Sequence, residues 1–160
     1  MTKMMAGRNF ARPTAAPRTS SAVGLANFLP AIIFVIGCFL AFSTGTSWGT
    51  FGVLLPIVCA VFPNGELMVI SVAACLAGAV CGAHCSPISD TTIMASAGAD
   101  CDHIAHVNTQ LPYAITVAAV TFAGYILAGF VQNAWIVLPV SLALMAATLL
   151  VIRNLQKKAA

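Results

Sequence analysis

Asp90 is the residue of this chain whose type and position most strongly indicate a chemical role. It lies in the polar stretch His84–Thr92, with sequence HCSPISDTT, between two apolar runs. A carboxylate inside a membrane segment costs at least about 2.5 kcal/mol, and such residues usually have a function. One carboxylate can bind either a cation or a proton, because burial raises its pKa and a bound cation lowers it. Competition at a single group therefore supplies ion exchange.

Hydroxyl side chains surround this aspartate, and hydroxyl oxygens are hard ligands suited to Na⁺. Pro87 also frees backbone carbonyls nearby. We predict a cation- and proton-binding site, with transported Na⁺ at the aspartate, formed by Asp90, Ser86, Ser89, Thr91 and Thr92. Ser89 and Asp90 are also typical helix-capping residues, which is a purely structural alternative. Both roles are compatible, because transporters build ion sites at the ends of half-helices.

A second polar stretch, Ser43–Gly52, has the sequence STGTSWGTFG and contains three glycines. Glycine and hydroxyl residues disfavour a regular helix, so the stretch predicts a break between two half-helices. Its uncharged hydroxyls would complete the shell of a cation without binding it alone; they belong to Ser43, Thr44, Thr46, Ser47 and Thr50. Trp48 would line the cavity or pack against its neighbours.

Histidines are the third group of interest. His84 is in the first polar stretch, and His103 and His106 would share one face if their segment is helical. Because histidine has an unperturbed pKa near 6.5, these three are candidates for pH sensing or proton transfer. Solvated loop histidines are the alternative. Cys81, His84 and Cys85 lack the paired spacing of structural zinc sites, so we expect no resident metal.

Composition shows what must position these residues. Apolar residues make up 60% of the chain and charged residues 7%, against about a quarter in soluble domains. All seven basic residues lie before Gly24 or after Ile152, which is typical of membrane anchoring and not of nucleic-acid binding. We therefore predict an all-α integral membrane protein with the lipid bilayer as its partner.

The apolar runs predict the arrangement of the helices. Leu25–Phe62, interrupted at Ser43–Gly52, predicts a re-entrant hairpin, and Leu67–Ala99, interrupted at His84–Thr92, predicts a broken helix of small, closely packing residues. A polar loop, Asp100–Gln110, and two membrane helices, Leu111–Val131 and Ala134–Ile152, follow. Paired interrupted segments are typical of a transporter's binding site.

Three regions result from this division. Residues 1–23 predict a disordered basic tail, although an organelle transit peptide has a similar composition. Residues 24–153 form the membrane domain, and residues 154–160 a short basic tail. We find no Walker A, nucleophile-elbow or dinucleotide motif. We therefore expect neither an enzyme nor a cofactor.

The two polar stretches also carry a resemblance. STGTSWGTFGVLLPI at 43–57, HCSPISDTTIMAS at 84–96 and CDHIAHVNTQLPYA at 101–114 resemble signature segments of the NhaC-type sodium/proton antiporter family. The resemblance implies a multi-pass protein of the bacterial inner membrane that exchanges Na⁺ for H⁺, and some members exchange malate and lactate. It also implies an inverted-repeat fold, of which residues 24–153 would be the second repeat.

Two departures from the family affect that expectation. Ala83 stands where the family typically has an acidic residue before the histidine. The chain is also much shorter than typical members, so we expect a C-terminal fragment that needs the missing N-terminal half or another copy of itself. Two alternatives stay open: an organic-acid or amino-acid exchanger coupled to Na⁺ or H⁺, and a membrane remnant or scaffold that transports nothing.

Overall fold

The computed structural model describes the backbone of residues 20–159 and the side chains of residues 26–154. This part of the chain contains helices and no strand, which confirms the all-α class. The helices, in order, are α1 (Ser20–Thr44), α2 (Ser47–Val61), α3 (Glu66–Cys85), α4 (Asp90–Gly98), α5 (His103–Val131) and α6 (Ala134–Ala159).

Four of these helices are long and apolar enough to cross a membrane, and they are α1, α3, α5 and α6. Large apolar side chains lie on the outer surface, including Phe39 at 72% exposure and Trp135 at 90%. Such a surface suits lipid, in which apolar side chains need not be hidden. The length and composition of these helices are those of a multi-pass membrane protein.

Glycines bring α3 very close to α1. Gly78 and Gly82 are one turn apart on α3, and each faces a backbone carbonyl of α1, that of Phe34 or Cys38. A Cβ atom at either glycine would overlap the carbonyl oxygen. Small residues at this spacing let membrane helices approach until their backbones touch. The expected close packing of this small-residue segment is present.

Helix α2 folds back along α1 to form a hairpin. Leu54, Val58 and Phe62 are buried in one cluster with Cys75, and Leu29 packs against it. The end of α2 therefore returns to the level of Leu29, in the first half of α1. A hairpin of α1 and α2 is present, with its tip at Gly45 and Thr46; its re-entrant course stays a prediction, since α1 is long enough to span a membrane and α2 has 15 residues.

The non-helical segments are shorter than expected. Helix α2 begins at Ser47, so most of the predicted Ser43–Gly52 break is helical, and the break in the broken helix is limited to residues 86–89. Thr50 lies in this helical part, and its hydroxyl donates to the carbonyl of Thr46, the N-cap residue of α2, 3.0 Å away. A hydroxyl bonded in this way does not interrupt the helical backbone.

The loop expected at Asp100–Gln110 is also largely helical. Helix α5 begins at His103, because the Asp102 carboxylate accepts a hydrogen bond from the backbone N–H of Ala105 at 2.8 Å and caps its first turn. The connection that leaves α4 is correspondingly short, and Asp100 in it has a left-handed φ of 49°.

Helices extend into both of the predicted tails. Helix α1 starts at Ser20, so the last four residues of the expected 1–23 tail are helical, while residues 1–19 lie outside the described part. Helix α6 continues to Ala159, past the expected boundary at residue 153. No glycine or proline follows Arg153, and Asn154–Ala159 includes good helix formers, so nothing there stops the helix.

Candidate ion-binding site

Two helix breaks lie directly against each other. The first break is in the stretch Ser43–Gly52, between α1 and α2, and the second break is residues 86–89, between α3 and α4. Gly45 has φ +70°, and a Cβ atom built on it would be 2.6 Å from the carbonyl oxygen of Ile88. The backbone N–H of Asp90 donates to the Gly45 carbonyl at 3.3 Å. The Ser86 hydroxyl donates to the Phe42 carbonyl at 2.8 Å. The sequence placed these segments opposite each other only by inference, and here they are in contact.

Four helix termini meet at this contact. Helices α1 and α3 end beside it, at Thr44 and Cys85, and helices α2 and α4 begin beside it, at Ser47 and Asp90. A helix C-terminus has a partial negative charge of roughly half a unit, and an N-terminus the corresponding positive charge. The two C-termini favour a cation, and the N-terminus of α4 favours the Asp90 carboxylate.

Three of the predicted ligand residues are buried at the contact. Ser86 and Ser89 have no exposed surface, and Thr92 has 3%. The Ser89 hydroxyl lies 2.9 Å from that of Thr91, while the buried Thr92 hydroxyl has no hydrogen-bond partner. An unpaired buried hydroxyl is costly and therefore unusual in a folded protein. Thr92 thus has an oxygen free to accept a further ligand.

The other two predicted ligands face outward. Asp90 and Thr91 are exposed in the described structure, and the Asp90 carboxylate accepts a hydrogen bond of 2.7 Å from the backbone N–H of Thr91. The five residues therefore do not enclose one point within this chain. Instead, the hydroxyls of Ser86, Ser89 and Thr92 are buried, that of Ser86 against α1, and the Asp90 carboxylate is at the surface.

Two hydroxyls of the first break donate their protons to a backbone carbonyl of their own helix. Ser43 and Thr44 donate to the Leu40 carbonyl at 3.0 and 2.8 Å. A hydroxyl with a committed proton presents only lone pairs to its other neighbours. These two exposed oxygens can therefore accept but not donate, which suits a cation and not an anion.

The remaining residues of the first break have different environments. Thr50 is buried, whereas Thr46 and Ser47 are partly buried. Trp48 is 76% exposed, and its ring meets that of Phe51 edge-on at 5.8 Å. Within this chain the tryptophan does not enter the core.

The three candidate histidines are separated by the structure. His103 contacts the second break directly, with Nε2 2.7 Å from the Pro87 carbonyl and Nδ1 2.9 Å from the Ser96 hydroxyl. His84 bonds through Nδ1 to the carbonyl of Val80 in its own helix, at 2.8 Å. His106 lies one turn after His103 and is partly buried.

Sequence reasoning missed Ser96, a residue of α4 that is 97% buried and whose hydroxyl contacts His103. Its position held a signal, because Ser89, Thr92 and Ser96 are three and four residues apart, and this spacing puts them on one helical face. The six cysteines are free. Among the described residues, no group of three or more histidine, cysteine, aspartate or glutamate side chains is arranged to hold a metal ion.

Comparison with known proteins finds three relatives, two of them named as antiporters. It is 60% identical over 108 residues to an uncharacterised protein of Haemophilus influenzae, and 33% identical over 100 residues to a malate-2H(+)/Na(+)-lactate antiporter of Bacillus subtilis. It is 32% identical over 115 residues to the arginine/ornithine antiporter ArcD of Halobacterium salinarum. These matches cover 66%, 62% and 69% of this chain but only 21%, 21% and 24% of the respective relatives. No solved structure gives a match.

The family model described as the Na+/H+ antiporter family matches residues 17–130. That range includes both breaks, the hairpin and nearly all of α5. Together with four helices able to cross a membrane, it identifies a multi-pass membrane protein of a transporter family. The NhaC-type subdivision stays a prediction. This chain belongs to the Na+/H+ antiporter family.

Proposed function

We propose that the chain takes part in Na⁺/H⁺ antiport across the cell (inner) membrane and binds the exchanged ion where its two helix breaks meet. The contact of the breaks supports this most strongly: the Asp90 N–H bonds to the Gly45 carbonyl, and the Ser86 hydroxyl to the Phe42 carbonyl. Interrupted helices at a binding site are a recurring arrangement in secondary transporters.

In this proposal Asp90 carries either Na⁺ or a proton. The buried oxygens of Ser86, Ser89 and Thr92 are ligands of the cation, and the acceptor-only oxygens of Ser43 and Thr44 extend the polar path. A proton on the carboxylate removes the charge that holds the cation, so the two ions displace each other. Thr91 orients the carboxylate through its backbone N–H.

The exposed carboxylate indicates that other helices complete the site. An ionisable group at membrane depth normally faces protein or a water-filled cavity and not lipid. Asp90 is exposed in the described structure, so a surface of another segment would cover it. We propose that this surface comes from an N-terminal half of an antiporter or from another copy of the chain.

Exchange of organic acids or amino acids is the second candidate. Two relatives are named for it, the malate-2H(+)/Na(+)-lactate antiporter and the arginine/ornithine antiporter. An anionic substrate would need a cationic or amide group in the membrane, and the sequence has no lysine or arginine between Arg18 and Arg153. The completing surface would have to supply that group, so the cation is the simpler substrate for this chain.

Everted membrane vesicles provide the test. The chain is expressed in a host without its own Na⁺/H⁺ antiporters, and recovery of a pH gradient is followed by dye fluorescence after Na⁺ is added. When a second copy or a co-expressed N-terminal half completes the site, we expect Na⁺-dependent recovery that is lost in Asp90→Asn and retained in Asp100→Asn, because Asp100 is exposed and lies outside both breaks. Recovery that Asp90→Asn leaves intact contradicts the site. Absence of recovery from the unaltered chain contradicts exchange by this chain alone.

Malate, lactate, arginine and ornithine are added separately in the same vesicles. Recovery that appears only with one of these compounds, and not with Na⁺ alone, would replace the cation proposal with the organic-substrate one.

A further inference from the structure

We infer that His103 is a positioning residue for the second helix break, and that its hold on the break depends on protonation. His103 begins α5, yet its ring bonds to two other elements: Nε2 to the carbonyl of Pro87 in the break and Nδ1 to the hydroxyl of Ser96 in α4. The effect of these two hydrogen bonds on ion binding rests on the proposed function, because the second break carries the candidate ligands Ser86 and Ser89.

The number of protons at this cluster decides how many bonds it can make. A carbonyl oxygen only accepts, so Nε2 must carry a proton to bond with Pro87. The Ser96 hydroxyl lies 2.9 Å from two acceptors, the Ile93 carbonyl and His103 Nδ1, but it has one proton to donate. With a neutral ring, Ser96 can serve one of these two acceptors and not both.

A doubly protonated ring removes this conflict. Nδ1–H then donates to the Ser96 oxygen, Ser96 donates to the Ile93 carbonyl, and Nε2–H donates to the Pro87 carbonyl. Three protons serve three bonds. The other neutral tautomer is worse than the first, because an unprotonated Nε2 would face the carbonyl oxygen. All three contacts can be hydrogen bonds at the same time only when both ring nitrogens carry protons.

The burial of Ser96 and the charged groups around His103 determine how strongly the loss of one hydrogen bond affects the second break. Ser96 is 3% exposed, so water does not replace a lost bond there easily. The titratable groups on the elements around His103 are Asp90 on α4, His84 and Cys85 at the end of α3, Asp100, Cys101 and Asp102 in the connection, and His106 on α5. Of these, Asp102 is committed to capping α5 through Ala105, and the Cys101 thiol contacts the Ser96 carbonyl at 3.6 Å.

A falling proton concentration therefore loosens the break. With a neutral ring the cluster has one hydrogen bond fewer than with a doubly protonated ring. The bond that is lost is one of the two that the Ser96 hydroxyl makes, either to His103 Nδ1 or to the Ile93 carbonyl. Because Ser89 and Asp90 follow Pro87 closely in sequence, motion of the break is transmitted to the candidate ligands.

Hydrogen exchange at the break tests the inference without Na⁺. The amides of Ser89 and Asp90, which bond to the carbonyls of Ser86 and Gly45, are followed from pH 5 to pH 8 in Na⁺-free buffer, with rates corrected for intrinsic exchange. We expect protection to fall by about three- to tenfold as pH rises, as one net hydrogen bond would give.

Three variants assign that fall to His103. In His103→Gln the amide nitrogen can still donate to Pro87, but the side chain no longer titrates, so protection should be independent of pH. Ser96→Ala removes the Nδ1 partner and should also abolish the dependence, which gives a second test if His103→Gln does not fold. His106→Gln, one turn away, should behave as the unaltered chain.

Protection that does not change with pH in the unaltered chain overturns the inference. So does a pH dependence that survives in His103→Gln, or one that disappears in His106→Gln. Because these measurements contain no Na⁺, a chain that binds no cation would contradict the proposed function while leaving the histidine tie intact, and the reverse result would do the opposite.

Discussion

Substitution of Gly45 by alanine tests the contact between the two breaks. It should lower stability in two ways, through backbone strain at Gly45 and through overpacking against the second break. Gly45 has φ +70°, a conformation that costs a non-glycine residue about 1–2 kcal/mol. The new Cβ would also lie 2.6 Å from the Ile88 carbonyl oxygen, which must move, and overpacking of this kind costs about 1–3 kcal/mol. We expect a total loss of about 2–5 kcal/mol in the free energy of unfolding.

Two other glycines provide matched controls. Gly65 also has a positive φ, +99°, but no atom lies within 4 Å of a Cβ built on it, so Gly65→Ala carries only backbone strain of about 1–3 kcal/mol. Gly52 lies in α2 with the same open surroundings. Gly52→Ala should stabilise the helix by up to about 1 kcal/mol.

The assay combines stability with ion binding. Unfolding of the detergent-solubilised chain by sodium dodecyl sulfate is followed by circular dichroism, and ²²Na⁺ binding is measured on the folded variants. Gly45→Ala should weaken Na⁺ binding because it separates the breaks, whereas Gly65→Ala and Gly52→Ala should leave it unchanged. Equal Na⁺ affinities in Gly45→Ala and the unaltered chain would refute the assignment of the site to this contact.

Two further substitutions test the packing around the site. Ser86→Ala leaves a carbonyl of α1 without its hydroxyl partner and should lower the free energy of unfolding by about 1–3 kcal/mol. Its control is Ser43→Ala, at an exposed position, which should change that free energy by less than about 0.5 kcal/mol in the same unfolding assay. Gly82→Ala places a methyl group against the backbone of α1 and should lower the melting temperature measured by circular dichroism, and Gly98→Ala, with open space around it, should not. Equal effects within either pair would contradict the packing described.

Local composition predicted the main elements well. The apolar runs gave the membrane helices, and the glycines and hydroxyls of STGTSWGTFG and the proline of HCSPISDTT marked where helices are interrupted. The lengths of the breaks were less predictable. Thr50 bonds to its own helix, and Asp102 caps α5, so polar residues expected in loops extend helices instead.

The contacts between the breaks depend on distant parts of the chain. Ser86 bonds to a carbonyl 44 residues earlier, and no local pattern specifies that partner. The outward position of Asp90 and the burial of Ser89 are likewise set by how α4 packs against α3 and α5. Sequence types thus named the candidate ligands, whereas tertiary packing decided which of them lie together.

Equilibrium binding of ²²Na⁺ to the purified chain in lipid nanodiscs, measured across pH, tests the central claim most directly. If Na⁺ and a proton compete for Asp90, the apparent Kd should rise as pH falls, approaching tenfold per unit where the protonated form predominates. Asp90→Asn should abolish this binding, and Asp100→Asn should reproduce the unaltered chain. Binding of Na⁺ by Asp90→Asn with unchanged affinity and unchanged pH dependence would contradict the account.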